Sequence, residues 1–129
     1  MRSHYQIVAD HYTASRNGDI DGMLADLTDD TQWTEMAGSS LAGTYVGRQQ
    51  IIEYGLAVIA AEWENFHFNL QALVDGGSTV VGIGEYSGIC RKTGKAMKAR
   101  VAHVWELAGG KVKRFEQFAD TRLIALAME

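Results

Sequence analysis

Proline is absent from this sequence, and cysteine occurs only once. Typical usage of about 5% would give roughly six prolines in a chain of this length, so the 14 glycines must build most of the turns. The single cysteine, Cys90, cannot form an internal disulfide or a cysteine-rich zinc site. Nothing in the sequence therefore requires an oxidising compartment, and we expect a cytoplasmic protein.

Long apolar runs and an excess of positive charge are also missing. No apolar stretch approaches the roughly 18 residues that a membrane-spanning helix needs, and residues 1–6 lack the apolar core of a signal peptide. The 12 basic residues are scattered and are outnumbered by 16 acidic ones, which argues against a surface for nucleic acid. We therefore predict neither a membrane partner nor a nucleic-acid partner.

Motifs for metals and cofactors are equally scarce. The four histidines, at positions 4, 11, 67 and 103, show no His-x-x-x-His or comparable spacing, so no metal site is predicted. The glycines fall at turns and within one strand, without the spacing of a phosphate-binding loop. We expect no cofactor.

What is present is the composition of one ordinary globular domain. The chain has 129 residues, of which 47% are apolar and 22% charged, and these values exclude disordered, coiled-coil and low-complexity classes. A chain of this length has room for one hydrophobic core. We predict a single domain covering residues 1–129.

Hydrophobic spacing predicts helices first and strands later. A helix begins behind the capping box Ser3-x-x-Gln6, and a short one follows the N-cap Asp19, with apolar residues at helical intervals up to Leu27. The remaining predicted elements are a strand over 31–36, a loop over 38–47, a helix over 48–61, strands over 63–74, 79–91, 95–107 and 111–119, and a helix capped by Asp120.

Tight glycine turns join the last four strands, and such turns connect antiparallel neighbours. Helices followed by strands indicate an α+β fold with an antiparallel sheet. Gly82, Gly84 and Gly88 lie within one strand and would let the sheet bend strongly. We expect the helices to cover the concave face of this sheet and to enclose a pocket.

Several segments carry a resemblance to a known family. They are NGDIDGM at 17–23, Asp29-Asp30, GTYVGR at 43–48, AHVWEL at 102–107 with GKV at 110–112, and FADT at 118–121. Together they resemble the SnoaL-like and ketosteroid-isomerase-like branch of the NTF2-like superfamily over almost the whole chain. The resemblance implies a cone of N-terminal helices on a strongly curved antiparallel sheet around an apolar pocket. It also implies a homodimer, and a function that varies widely among members.

The resemblance further implies a site for proton transfer beside a carbonyl. Ketosteroid isomerases use an Asp base on the first strand, with a Tyr on the first helix and a protonated Asp on a late strand as donors to the oxyanion. Tyr12 matches that tyrosine, Glu35 stands at the base position, and His103 stands at the position of the protonated Asp. The alternatives are a solvated strand-edge carboxylate for Glu35 and a core tyrosine for Tyr12.

Strand pairing adds Glu85 to the candidates. If residues 92–94 form a three-residue hairpin loop, Glu85 opposes Val101 and becomes a diagonal neighbour of His103 on the same face. A buried Glu–His pair would be a coupled acid–base unit of the kind found at functional sites. The alternative is a solvated cross-strand pair on the outer face.

The other candidates are expected to shape the pocket and to contact a substrate. Gln117 would supply a polar group there. Aromatic residues at strand spacing would form the wall of the pocket or the core, and these are Trp33, Tyr45, Trp105 and Phe115.

These residues predict a protein that binds a small apolar carbonyl compound and transfers a proton on it, as an isomerase or cyclase without a cofactor. Glu35, Glu85 and His103 would be the acid–base groups, and Tyr12 and Gln117 the orienting donors. Two alternatives stay open. One is a ligand-binding or dimeric interaction module without catalysis, and the other is a cone filled by its own aromatic side chains.

Overall fold

The computed structural model describes residues 1–129, and its elements follow the predicted order with one added strand. They are α1 (His4–Arg16), α2 (Ile20–Leu24), β1 (Leu27–Glu35), β2 (Gly43–Val46), α3 (Gly47–Ile51), a π-helical turn (Ile52–Leu56), α4 (Ala57–Glu62), β3 (Trp63–Gly76), β4 (Thr79–Cys90), β5 (Ala96–Ala108), β6 (Lys111–Ala119) and α5 (Thr121–Met128). The strands form one sheet in the order β2-β1-β6-β5-β4-β3. All neighbours are antiparallel except β1 and β6, which run parallel. The fold is α+β, with helices packed on a strongly curved, open sheet, as predicted.

Side-chain caps start the helices where the sequence predicts them. The Ser3 hydroxyl accepts from the Gln6 amide at 3.1 Å. Asp19 and Asp120 cap α2 and α5 in the same way, at 3.0 and 3.2 Å. Each cap satisfies a backbone N–H that has no partner within the helix. None of the helices is long and apolar enough to cross a membrane.

The region around β1 and β2 differs from the prediction. Leu27 shares the helical spacing of α2, but it is buried as the first residue of β1. Residues 43–46, predicted as loop, form β2 and pair with β1, where the hydroxyls of Thr34 and Thr44 lie 2.9 Å apart. Four residues are too few for an alternating pattern to stand out. Residues 36–42 remain irregular.

A π turn interrupts the helix predicted over 48–61. The chain passes from α3 into Ile52–Leu56 and continues as α4 from Ala57. Ile51, just before this turn, is fully buried, while Ile52, its first residue, is 39% exposed. Such turns occur frequently at functional sites.

A register shift in β3 changes which of its side chains face inward. The pairing with β4 slips between Leu70 and Ala72. Leu70 and Leu73 therefore pack against the core, whereas Val74 is 49% exposed on the outside. The single apolar face predicted for this strand is correct only up to the shift.

Aromatic rings fill one end of the cone. Trp33 and Phe115 stack with ring centroids 3.8 Å apart, and Trp105 contacts both at 5.8 and 4.7 Å. A second apolar cluster packs beneath α5 at the other end. On β5, His103 lies between Val101 of this second cluster and Trp105 of the first. The buried polar side chains therefore lie between the two clusters.

Candidate functional site

The hairpin between β4 and β5 decides which side chains face the concave side. The Cys90 amide donates to the Lys95 carbonyl at 2.9 Å, so the loop has four residues instead of the predicted three. Glu85 pairs with Arg100, and His103 pairs with a glycine. Because side chains alternate along a strand, this one-residue shift places Glu85 on the outer face, away from His103. The predicted Glu85–His103 pair is wrong.

Tyr86 holds the position expected of Glu85. Its hydroxyl lies 2.7 Å from His103 Nε2, and both side chains are buried. Sequence reasoning missed Tyr86, although its neighbours on the same face of β4 are Gly84 and Gly88. A tyrosine among glycines on a buried face is the signal that could have revealed it.

A network of hydrogen bonds links His103 to four other side chains. Trp105 Nε1 donates to the Tyr12 hydroxyl at 2.9 Å. The Tyr12 hydroxyl lies 2.8 Å from His103 Nδ1. At the far end, Gln117 Nε2 donates to the Tyr86 hydroxyl at 3.0 Å. The structure thus brings together the predicted residues Tyr12, His103 and Gln117, with Tyr86 as the link.

Counting donors and acceptors shows which group donates in each hydrogen bond of this network. Indole N–H can only donate, so Tyr12 accepts from Trp105, and His103 Nδ1 is the one acceptor within reach of the Tyr12 proton. A neutral imidazole that accepts at Nδ1 carries its proton on Nε2, and it therefore donates to Tyr86. The Tyr86 oxygen then accepts from both His103 and Gln117, so its own proton is free to point elsewhere. This assignment follows from the hydrogen-bond network.

Burial keeps the side chains of this hydrogen-bond network in their neutral forms. Loss of hydration, together with the nearby His11, lowers the pKa of His103 from 6.5 to about 3. The Phe68 ring stacks on the imidazole with centroids 4.5 Å apart. Burial also raises the pKa of Tyr12 and of Tyr86 above that of a free tyrosine. His103 is therefore a neutral connector between two hydroxyls at physiological pH.

Glu35 is the carboxyl group that faces this hydrogen-bond network. Only 5% of the residue is exposed, and Trp33 Nε1 donates to its Oε1 at 3.2 Å. Burial raises the pKa of Glu35 above 4.5, and the Trp33 hydrogen bond opposes this effect. The Glu35 charge, after burial, is a further cause of the raised pKa of Tyr86. Oε2 of Glu35 and Oε1 of Gln117 are buried acceptors without a partner.

Glu35, Tyr86 and Gln117 line a small cavity, called here the inner cavity. Its volume is about 30 Å³, which holds one or two water molecules. The rest of its wall consists of Ser39, Ser40, Leu41, Ile59, Glu62, Trp63, Phe66, Met97 and Ile124. The irregular segment after β1 therefore folds over the cavity. No group of three or more His, Cys, Asp or Glu side chains is arranged to ligate a metal ion.

The other predicted site residues lie away from the inner cavity. Tyr12 is buried behind Tyr86, in contact with Trp105 through its hydroxyl. Trp33, Trp105 and Phe115 pack against one another in the aromatic cluster. Half-buried Tyr45 donates from its hydroxyl to the Leu41 carbonyl at 2.5 Å, and so fastens the loop over the cavity. Of the five residues predicted to contact a substrate, Gln117 lines the inner cavity.

A larger space, the outer pocket, adjoins the inner cavity. It has a volume of about 540 Å³ and lies between the end of α1, α2, α4 and the start of β3. Ile59, Trp63 and Phe66 line both spaces, so these three side chains form the wall between them. The site is therefore a small cavity, with a few polar side chains in its wall, behind an open and mostly apolar pocket.

Comparisons with known proteins match this architecture. An NTF2-like protein of Burkholderia thailandensis E264 is 50% identical, with 100% of this chain and 99% of that chain covered and a TM-score of 0.98. TerC, co-crystallised with polyporic acid, is 24% identical, with 95% of each chain covered and a TM-score of 0.84. A Catenulispora acidiphila protein with a ketosteroid-isomerase-like fold, in complex with trimethylamine, is 18% identical, with 95% and 92% covered and a TM-score of 0.79. The last two show the shared fold alone.

A family model gives the assignment of the chain itself. None of the curated proteins matches the sequence. The model of the SnoaL-like domain matches residues 8–115, which is most of the chain and includes Tyr12, Glu35, Tyr86 and His103. The chain therefore belongs to the SnoaL-like domain family, as its sequence motifs predicted.

Proposed function

We propose that this protein binds a small carbonyl compound and transfers a proton at the carbon next to the carbonyl. The observation that carries the proposal is the unpartnered Oε2 of Glu35, buried in a cavity that also holds the Tyr86 hydroxyl. A base and a donor on one small cavity are what enolisation requires. The fold of the SnoaL-like family supports a small-molecule pocket, and the chemistry is inferred from these two groups.

The proposed reaction uses only side chains of this chain. The ionised Glu35 takes the proton from carbon, and the electron pair of that bond moves to the carbonyl oxygen to give an enolate. Tyr86 donates its free proton as a hydrogen bond to that oxygen, while His103 and Tyr12 hold the Tyr86 oxygen in place from behind. When Glu35 returns the proton to another carbon of the conjugated enolate, an isomerisation is complete. In an aldol cyclisation, the enolate carbon attacks a second carbonyl, and Glu35 returns its proton to the alkoxide that forms.

Two features of the site suit Glu35 and Gln117 to these roles. A raised pKa makes a carboxylate a stronger base, and it remains ionised once the pH exceeds that pKa. The free Oε1 of Gln117 is an acceptor, and it would bind a hydroxyl group of the substrate.

The test is turnover of keto-steroids and polyketide-like ketones by purified variants. Glu35→Gln keeps the size of the side chain but removes the base, and we expect a loss of about 10²- to 10⁴-fold. Tyr86→Phe removes one oxyanion donor, and we expect a loss of about 10²- to 10³-fold. Glu85→Gln, on the outer face, is the matched control and should keep the wild-type rate. A folded Glu35→Gln protein with unchanged turnover would remove the proposed role.

A second candidate function is ligand binding without catalysis. The observation that favours it is that both ring nitrogens of His103 already have hydroxyl partners, on Tyr12 and Tyr86, so the imidazole needs no substrate. The neighbours with polyporic acid and trimethylamine show that proteins of this fold hold unlike small molecules. Tight binding of a ketone that is recovered unchanged would support this function over proton transfer.

We also propose that two chains pair through the outer face of the sheet, and that the protein is cytoplasmic. Apolar side chains oppose one another across that face, with Val81 opposite Val104 and Ile83 opposite Ala102. Phe118, beside Ala102 on β6, is 42% exposed. Such an apolar patch favours a symmetric partner. Sedimentation at the mass of one chain, 14.2 kDa, would contradict the dimer.

A further inference from the structure

The outer pocket has an apolar interior and two cationic side chains. Its apolar wall includes Met23, Leu56, Ile59 and Phe68, contributed by α2, the π turn, α4 and β3. A volume of about 540 Å³ lies within the range of sites for small organic ligands. By contrast, the inner cavity holds only one or two waters. A substrate that reaches Glu35 needs this outer space for most of its atoms.

The charge lining the outer pocket has one sign. Arg16 and Arg91 line it, and no Asp or Glu does, although the chain has 16 acidic against 12 basic residues. Neither arginine forms an ion pair. Arg16 makes one long bond of 3.5 Å to Thr13 Oγ1, and Arg91 one of 3.4 Å to the Ala60 carbonyl. Both guanidinium groups therefore keep donors for an anion.

We propose that the outer pocket binds an apolar compound with a terminal carboxylate, held by Arg16 and Arg91. A guanidinium presents paired donors that match the two oxygens of a carboxylate. The apolar body packs on the pocket wall, and its far end reaches the partition formed by Ile59, Trp63 and Phe66. Phe66 is half-buried and lines both spaces, so its ring would have to turn aside for the carbonyl end of the ligand to enter the inner cavity. This inference rests on the proposed function, and it names the substrate class as a carbonyl compound that also carries an acid group.

Calorimetry with octanoate and 1-octanol tests the binding, because the two compounds share an apolar chain and differ in charge. We expect octanoate to bind more tightly than octanol, and its affinity to fall as salt is added. Arg16→Gln and Arg91→Gln should each weaken octanoate binding by about 5-fold, the upper range for an exposed ion pair, and leave octanol binding unchanged. Arg122→Gln, on α5, is the matched control and should change neither.

A second variant places the binding in the pocket. Ile20 lines the pocket and is 44% exposed, so Ile20→Trp fills space without disturbing the core, and we expect it to weaken both compounds. Equal affinity for the two compounds, no binding of octanoate, or unchanged binding by both arginine variants would overturn the inference. Glu35→Gln should bind octanoate as the wild type does. The two proposals can therefore fail separately, because unchanged turnover in Glu35→Gln would contradict proton transfer without affecting the binding of octanoate.

Discussion

Burial sets the protonation of the ionisable side chains in the site. Loss of hydration raises the pKa of the Glu35 carboxyl and lowers the pKa of two histidines, His103 to about 3 and His11 to about 4. Both kinds of shift disfavour the charged form of a poorly hydrated group. A neutral His103 can link two tyrosine hydroxyls, whereas an imidazolium has no acceptor site.

These histidines predict how stability depends on pH. Their pKa is 6.5 when unfolded and lower when folded, so their contribution is present above pH 6.5 and is lost as the pH falls. At pH 5 each should cost about 2 kcal/mol of the free energy of unfolding. Glu35 acts in the opposite direction, because its raised pKa favours the folded state at low pH.

Urea unfolding at pH 7 and pH 5 measures this contribution. His11→Gln and His103→Gln should each reduce the loss of stability between the two pH values relative to the wild type, and the Glu35 contribution cancels in that comparison. His67→Gln, at an exposed position, is the control. A loss of stability that stays the same in the His11 and His103 variants would show that neither histidine is held neutral.

At the scale of elements, glycines in β4 make room for aromatic rings. A Cβ atom on Gly82 would collide with the Tyr12 hydroxyl, and one on Gly84 would collide with the Asn69 carbonyl oxygen. The sequence predicts these glycines to be points of bending. The contacts show that they also let α1 and β3 approach the strand closely enough for Tyr12 to reach His103.

Gly82→Ala should therefore be costly. The added methyl group forces Tyr12 away from His103, and overpacking of this kind costs about 1–3 kcal/mol. Gly88→Ala is a matched control on the same strand, because its Cβ would meet its nearest neighbour at an ordinary 3.5 Å. Urea unfolding of both variants checks the difference. Equal stability of the two would mean that the close contact at Gly82 does not constrain the fold.

At the scale of the whole molecule, the sequence was sufficient for the fold but not for the register. Alternating strands and glycine turns are local patterns, and they predicted the α+β architecture and the elements from β3 to α5. No local sequence pattern distinguishes a three-residue loop from a four-residue loop between β4 and β5. That one-residue difference exchanges Glu85 for Tyr86 on the concave face. The parallel pairing of β1 with β6 joins distant segments, and no local pattern reports it.

Alternation of side chains along a strand predicted part of the site. Glu35 and Gln117 have inward-facing positions on β1 and β6, and the structure brings both to the inner cavity. Tyr12 and His103 were also predicted to be inward, but depth within the cone depends on the packing of several elements. His103 lies behind Tyr86, and Tyr12 lies behind His103, so the hydroxyl that meets a ligand belongs to a residue that sequence reasoning missed.

The site works as proposed only if Glu35 is a buried carboxyl group facing donors. The most direct measurement is an NMR pH titration of its side-chain carboxyl carbon in the folded, ligand-free protein, with the resonance assigned by its loss in Glu35→Gln. We predict a pKa above the ordinary 4.5. A pKa at or below 4.5 would contradict the structure of the site, because it would mean that Glu35 is solvated or paired with a cation.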